Sequence, residues 1–277
     1  MNKYAFVIMH FGSNTKYLEY ELYTILMLKK YSTADIVYMY SVTDTPDKFI
    51  KIINSMEMNV KIIPYDDTNI TYNVDFKSNY SNFNTLRTCN FIFALKLIEY
   101  KRICIIESDM IILSNVDEIF HLKQPSVLYN SSNDLLGQVN NSSNDKLLLE
   151  RNPIKTLING GVLLVKPSMR TYKRCIKKMS DIIKSNYEYP NEILIMKVFR
   201  KKLHNLPIQY NYSKYSKNEY SDIKICHFHG TQFKPLDIIK DKYDSKFKRK
   251  NLIKYLEKFK SEFFDIYHTW IQILLTN

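Results

Sequence analysis

Only five of the 277 residues are glycine, and none forms a G-x-G-x-x-G run behind the first apolar segment. A nicotinamide-dinucleotide fold of the usual kind is therefore disfavoured. The four cysteines (Cys89, Cys104, Cys175 and Cys226) lie far apart with no C-x-x-C pair. They fit neither a zinc site nor a disulfide framework, and reduced, buried thiols are the expectation. No serine or cysteine stands in a recognisable nucleophile elbow. The first residues, MNKYAFVIMHFG, carry too short an apolar run for a signal peptide and no small-residue cleavage site. No stretch reaches the length of a membrane-spanning helix. A reducing, cytoplasmic compartment is expected.

What is present fits a folded chain: 45% apolar and 25% charged residues are ordinary for a globular protein with a substantial core. Asn, Lys, Ile and Tyr are abundant, the codon bias of an AT-rich genome such as that of a parasite or a large DNA virus. The 22 tyrosines follow the same bias and do not by themselves mark self-modification. A formal charge of +12 would ordinarily suggest a polyanionic partner. The lysines are dispersed, however, and the densest run, KDKYDSKFKRKNLIKYLEKFK (240–260), reads as a solvated helix face. With no compact recognition motif, no nucleic-acid partner is expected. A basic surface would still favour capture of an anionic nucleotide.

The apolar patterning predicts alternating strands and helices. YAFVIMHF (4–11), ADIVYMYS (34–41), NVKIIPYD (59–66) and RICIIES (102–108) read as strands. TKYLEYELYTILMLKKY (15–31), TPDKFIKIINSM (45–56) and NTLRTCNFIFALKLIEY (84–100) read as helices. Such alternation indicates an α/β domain with a mostly parallel sheet. The polar segment 129–146 reads as a long loop. INGGVLLVKPS (158–168) reads as a strand, followed by helices near 168–186 and 191–201, a short strand at 223–228 and a C-terminal amphipathic helix. No linker or repeat divides the chain, and one domain is predicted, with halves 1–120 and 121–277.

Within CIIESDMIILSNVDEIF (104–120), Glu107 and Asp109 stand one residue apart at the end of a strand. Side chains at i and i+2 of a strand share a face, so both carboxylates can reach one hard divalent cation. Ligands in open α/β sheets bind beyond the strands' carboxyl ends, where this pair falls. Three of the five glycines lie in two further stretches, NGGV (159–162) and HFHGTQFKP (227–235). The second offers a candidate metal ligand in His227, close backbone approach at Gly230 and a phosphate partner in Lys234.

Together these segments resemble the glycogenin-like glycosyltransferases, family 8, which have a GT-A fold. ESDMIILSNVDEIF is similar to that family's Asp-x-Asp-Thr run with its Asn-x-Asp-Glu-Leu-Phe continuation. NGGVLLVKPS, LPIQYN (206–211) and HFHGTQFKPL match further family stretches in order. The resemblance implies a single GT-A (Rossmann-like) domain with a mixed, mostly parallel central sheet and a C-terminal helix. It also implies a retaining transferase that moves a hexose from a UDP-sugar to an unknown glycan or protein acceptor. By the same similarity Glu107, Asp109 and His227 would hold Mn²⁺, with Mg²⁺ as the alternative. Met9, His10, Phe11 and Tyr17 would border the uracil, and Ser108 the ribose. Gly230 and Lys234 would contact the diphosphate. Arg87 would sit near the donor, and Asn159 and Gly160 would line its sugar. Relatives in this family often dimerise, so a homodimer is compatible with the resemblance.

Four departures stand out. Glu107 replaces an aspartate. Asn191 and Glu192 occupy a helix start where the family carries Asp-Gln, which places a carboxylate at the second position as a candidate to face the anomeric carbon. One extra residue separates Gly230 from Lys234, and Leu236 replaces a tryptophan. Retention leaves two routes open: a glycosyl-enzyme formed on a protein carboxylate, or attack by the acceptor on the leaving-group face. A catalytically silent nucleotide- or glycan-binding relative is the alternative reading.

Overall fold

The computed structural model describes residues 3–56, 59–68, 70, 86–129, 143–147, 158–184, 189–213 and 222–228. The chain opens with β1 (Tyr4–His10), α1 (Thr15–Tyr31), β2 (Asp35–Ser41), α2 (Asp47–Ser55) and β3 (Lys61–Tyr65). A 3₁₀ helix spans Thr88–Lys96, followed by β4 (Arg102–Ile106), β5 (Met110–Ile112) and a short 3₁₀ turn over Asp117–His121. Then come β6 (Ser126–Tyr129), β7 (Ile158–Val165), α3 (Met169–Lys184), α4 (Pro190–Phe199), β8 (His204–Asn205), β9 (Tyr212–Ser213) and β10 (Ile225–His227).

Seven strands form one sheet in the order β3-β2-β1-β4-β7-β6-β8. Strands β3, β2, β1 and β4 run parallel, and β7 is inserted antiparallel between β4 and β6. The chain winds outward from β1 through β2 to β3, then returns to place β4 on the other side of β1. The carboxyl ends of β1 and β4 therefore flank a topological switch point, the usual position of a ligand crevice. A second sheet, β5-β10-β9, lies beyond that end.

Strand alternation divides the core between the two faces of the sheet. Phe6, Ile8, Ile36, Tyr38, Cys104 and Ile106 point to the side covered by α1 and α2. Ala5, Val7, Val37, Met39, Ile103 and Ile105 point to the side covered by the Thr88–Lys96 helix, α3 and α4. Helix α1 starts at Asn14, whose side chain accepts from the Lys16 amide at 3.0 Å. It packs Leu18, Leu22, Ile25 and Leu28 inward. Helix α4 is nearly apolar all round, with Ile193, Leu194, Ile195, Met196, Val198 and Phe199 all buried, as expected of an internal helix. All four cysteines are buried free thiols.

The helix predicted over 84–100 is replaced, between Thr88 and Lys96, by a 3₁₀ helix whose Cys89–Leu95 stretch is buried throughout. Packing on every side, in place of one amphipathic stripe, overrides the local preference. The predicted C-terminal helix and most of the 129–146 loop lie outside the described residues.

Phe120 ties the acidic segment to the first strand: its ring stacks on Tyr4 at 5.0 Å and meets Phe6 edge-on at 4.9 Å. Phe120→Ala is expected to lower stability by about 3–5 kcal/mol, the usual cost of emptying a buried aromatic site. The shift of the urea midpoint measures it.

Candidate active site

Between the carboxyl ends of β1 and β4 lies a cleft of about 640 Å³. Met9, Phe11, Tyr17, Arg87, Glu107, Ser108, Asp109, Gly160 and Asn191, all named from the sequence, are among its lining residues. Strand β4 ends at Ile106, so Glu107 and Asp109 occupy the link from the main sheet to β5 and not one continuous strand. The Glu107 amide donates to the Gly161 carbonyl at 3.0 Å, which ties this link to β7. The Thr24 hydroxyl donates to the Ser108 carbonyl at 3.0 Å, which ties it to α1.

His227 reaches the acidic pair because β10 aligns with β5 in register His227 to Met110. The Phe228 amide donates to the Asp109 carbonyl at 2.9 Å. The imidazole is buried, with Nε2 at 3.2 Å from Glu107 Oε2 and 3.3 Å from Asp109 Oδ1. Burial alone would depress its basicity. The charge of Asp109, with hydrogen bonding to Asp109 and Glu107, outweighs burial and pushes the pKa up to about 9.

One ligand atom each from Glu107, Asp109 and His227 falls within 4.8 Å of the others. The donor set fits a hard to borderline divalent ion such as Mn²⁺ or Mg²⁺. The surroundings fit as well. Asn211 Nδ2 donates to Asn159 Oδ1 at 2.9 Å, which turns Asn211 Oδ1 toward His227 Nδ1, also 2.9 Å away. An acceptor there keeps the proton on Nδ1 of the neutral ring and leaves the Nε2 lone pair facing the carboxylates, as metal ligation requires. Gly161 provides room: a Cβ there would lie 2.4 Å from His227 Cε1, 2.8 Å from Nδ1 and 2.9 Å from Met110 Cε.

Three of the residues named from the sequence as facing the donor lie off the cleft lining. His10 does not border the cleft. Alternation along β1 turns Met9 and Phe11 to the cleft and His10 away from it. Its Nδ1 bonds Glu21 Oε2 at 2.8 Å, and Tyr38 donates its hydroxyl to that same oxygen at 2.8 Å. Glu192 does not face the cleft either. Adjacent helix positions point about 100° apart, so Asn191 lines the cleft while the buried Glu192 accepts from the Gly160 amide at 3.0 Å. Asn159, expected beside Gly160 against the donor sugar, is the third: it lies behind the lining, accepting from the Gly161 amide at 3.1 Å and from Asn211. Gly230 and Lys234 lie outside the described residues.

Several residues the motifs did not indicate complete the site. Asp44, Asn90, Glu21, Ser13 and Asn14 line the cleft, and Asp67 lies buried behind it. Asn211 was visible only as the end of LPIQYN. Asp44 and Asp67 come from segments with no sequence signature, and only their convergence on Arg87 reveals them.

The fold is that of GT-A glycosyltransferases. The galactosyltransferase LgtC, solved with donor and acceptor sugar analogues, aligns at a TM-score of 0.60 and 11% identity over 93% of this chain and 95% of that one. GlyE of Streptococcus pneumoniae TIGR4 aligns at 0.57 and 14% identity over 95% of this chain, which spans 64% of GlyE. The uncharacterized protein R707 of Acanthamoeba polyphaga mimivirus is 24% identical over 99% of this chain and 94% of its own length. The model of glycosyl transferase family 8 matches residues 8–237, and the chain belongs to that family.

The site and the neighbouring His10–Glu21 cluster each carry one prediction. Gly161→Ala must displace the His227 ring, and a fall in Mn²⁺ affinity by calorimetry is expected with the fold intact by circular dichroism. His10 is the second. Burial lowers its pKa, but the charge and hydrogen bond of Glu21 outweigh this and raise it above 6.5. The folded state thus holds the proton more tightly than the unfolded chain. The resulting stability is complete below about pH 6.5 and is lost as pH rises through the folded value. His10→Gln should remove that part of the stability-versus-pH slope in denaturant titrations.

Proposed function

We propose that this chain is a retaining, divalent-metal-dependent glycosyltransferase that transfers a hexose from a UDP-sugar to a glycan or protein acceptor. The observation that carries the reading is the meeting of Glu107 and Asp109, which line the cleft, with the remote and buried His227, in a family 8 chain with a GT-A fold. Glu107, Asp109 and His227 would hold Mn²⁺ or Mg²⁺, which would supply positive charge against the diphosphate as it departs. Phe11 and Tyr17 would border the base, and Gly160 with Asn191 the donor sugar.

The residues of the cleft wall bear on how configuration is retained. Among the described residues every carboxylate on that wall is engaged. Glu107 and Asp109 face His227, Asp44 binds Arg87, and Glu21 is held by His10 and Tyr38. Asn191 presents an amide, and Glu192 is turned to the Gly160 backbone. This favours attack by the acceptor hydroxyl on the face the diphosphate leaves, with a diphosphate oxygen taking the acceptor's proton. The C1–O bond to UDP breaks as the new glycosidic bond forms.

Three observations extend the reading beyond the chemistry. The four buried free thiols accord with a reducing, cytoplasmic setting. Among the described residues no helix is long and apolar enough to cross a membrane. The amide of Asn191 also supports a second reading, a relative that binds nucleotide without turnover.

The test is release of UDP across a panel of UDP-sugars with Mn²⁺. Asp109→Ala and His227→Ala should abolish metal-dependent release, and unchanged rates in both would refute the site. Asn211→Ala, which removes the partner of His227 Nδ1, should weaken metal binding about 10–100-fold. UDP binding without release from any donor in the panel would establish the second reading.

A further inference from the structure

Arg87 lines the donor cleft, and a cation there suggests a grip on phosphate. Its surroundings point elsewhere. The side chain is only 3% exposed and lies between two carboxylates. Nη1 donates to Asp44 Oδ2, and Nη2 donates to Asp44 Oδ1 at 2.9 Å and to Asp67 Oδ2 at 3.1 Å. Asp67 is fixed in turn, accepting from Ser41 at 2.7 Å, Thr43 at 2.9 Å and Asn90 at 3.0 Å. One cation between two acids offers little net attraction to a diphosphate.

The same network ends at the exit of β1. Asp44 Oδ1 accepts from the Gly12 amide at 3.0 Å, and Gly12 has φ +90, a conformation that favours glycine. The Arg87 guanidinium lies over the Phe11 ring, 4.8 Å from its centroid. Asn90, Asp67's partner, also donates to the Tyr65 hydroxyl, which donates to the His10 carbonyl at 2.8 Å. Three branches, through Asp44, the Phe11 ring and the Asn90–Tyr65 pair, lead to residues 10–12, whose Phe11 and Gly12 line the cleft.

We infer that Arg87 is a positioning residue: through Asp44 and the Phe11 ring it sets the base-facing wall of the donor cleft and does not grip the donor's phosphates. The inference rests on the reading of the cleft as a UDP-sugar site. It assigns the network to recognition of the nucleoside.

Uridine, which lacks phosphate, separates the two roles. Uridine and UDP are titrated by NMR in the presence of Mg²⁺ against wild type, Asp44→Ala, Arg87→Lys and the double variant Arg87→Met/Asp67→Asn. The double variant avoids leaving Asp67 as an unpaired buried charge. Near-UV circular dichroism checks the fold, and amide hydrogen exchange reports on Gly12 without any ligand. The expected result is a parallel loss of uridine and UDP affinity in all three variants. Gly12 should exchange faster in Asp44→Ala and in the double variant. Arg87→Lys should fail to rescue binding, because a lysine has no bidentate fork.

A phosphate grip predicts otherwise. The double variant would then lose about 10–100-fold in UDP affinity, as for a charge-assisted hydrogen bond, with uridine unaffected. Asp44→Ala, which leaves the guanidinium in place, would keep its UDP affinity. Either result overturns the inference. A folded wild-type protein that binds neither nucleotide removes the donor reading itself, and this role with it.

Discussion

A buried imidazole facing two carboxylates is the constraint on which this structure turns. Like charges at such spacing repel, and in a partly buried site the repulsion is costly unless a cation lies between them. His227 supplies that cation when protonated, and a divalent ion would supply it more strongly. The small sheet makes the contact possible. Strand β10 runs antiparallel to β5, which follows directly after Asp109, so a histidine 118 positions further along the chain is pinned beside the acidic turn by backbone hydrogen bonds. The behaviour of Gly161, Asn211 and Asn159 follows from that pinning: one leaves space for the ring and the others fix its orientation.

The cleft floor is braced from both faces of the main sheet. On one face, His10, Glu21 and Tyr38 hold β1 against β2 and α1. On the other, Arg87, Asp44, Asp67 and Asn90 hold the turn beyond β1. Both are polar clusters inside an apolar core, where unsatisfied groups are costly and satisfied ones rigidify. The two faces thus fix where Phe11 and Gly12 sit before any ligand arrives. A preorganised wall of this kind lowers the ordering cost of binding.

Much of the fold was legible because it rests on local periodicity. The buried strands Tyr4–His10 and Arg102–Ile106 are built on continuous apolar runs, 4–9 and 103–106, and α1 has the predicted bounds, 15–31. The E-x-D pair, NGGV and the His227 segment are each common alone and were legible because they occur together and in the order of the family's motifs. The rest depends on contacts distant in sequence. Asp44 and Asp67 carry no motif, and Arg87 makes sense only once both reach it. His10 and Glu192 were misplaced for a simpler reason: the motifs named neighbours as groups, while strand and helix geometry sends adjacent side chains in different directions. The 3₁₀ helix over Thr88–Lys96 escaped because its burial on all sides is a property of α3, α4 and the sheet around it.

The central claim is that Glu107, Asp109 and His227 form one cation site that receives a nucleoside diphosphate. Crystals grown with Mn²⁺ and UDP, measured at a wavelength where manganese scatters anomalously, test this most directly. The account predicts a single anomalous peak at bonding distance from Glu107, Asp109 and His227 Nε2, with diphosphate oxygens completing its coordination. A peak elsewhere, or bound UDP with no metal at these three residues, would contradict it.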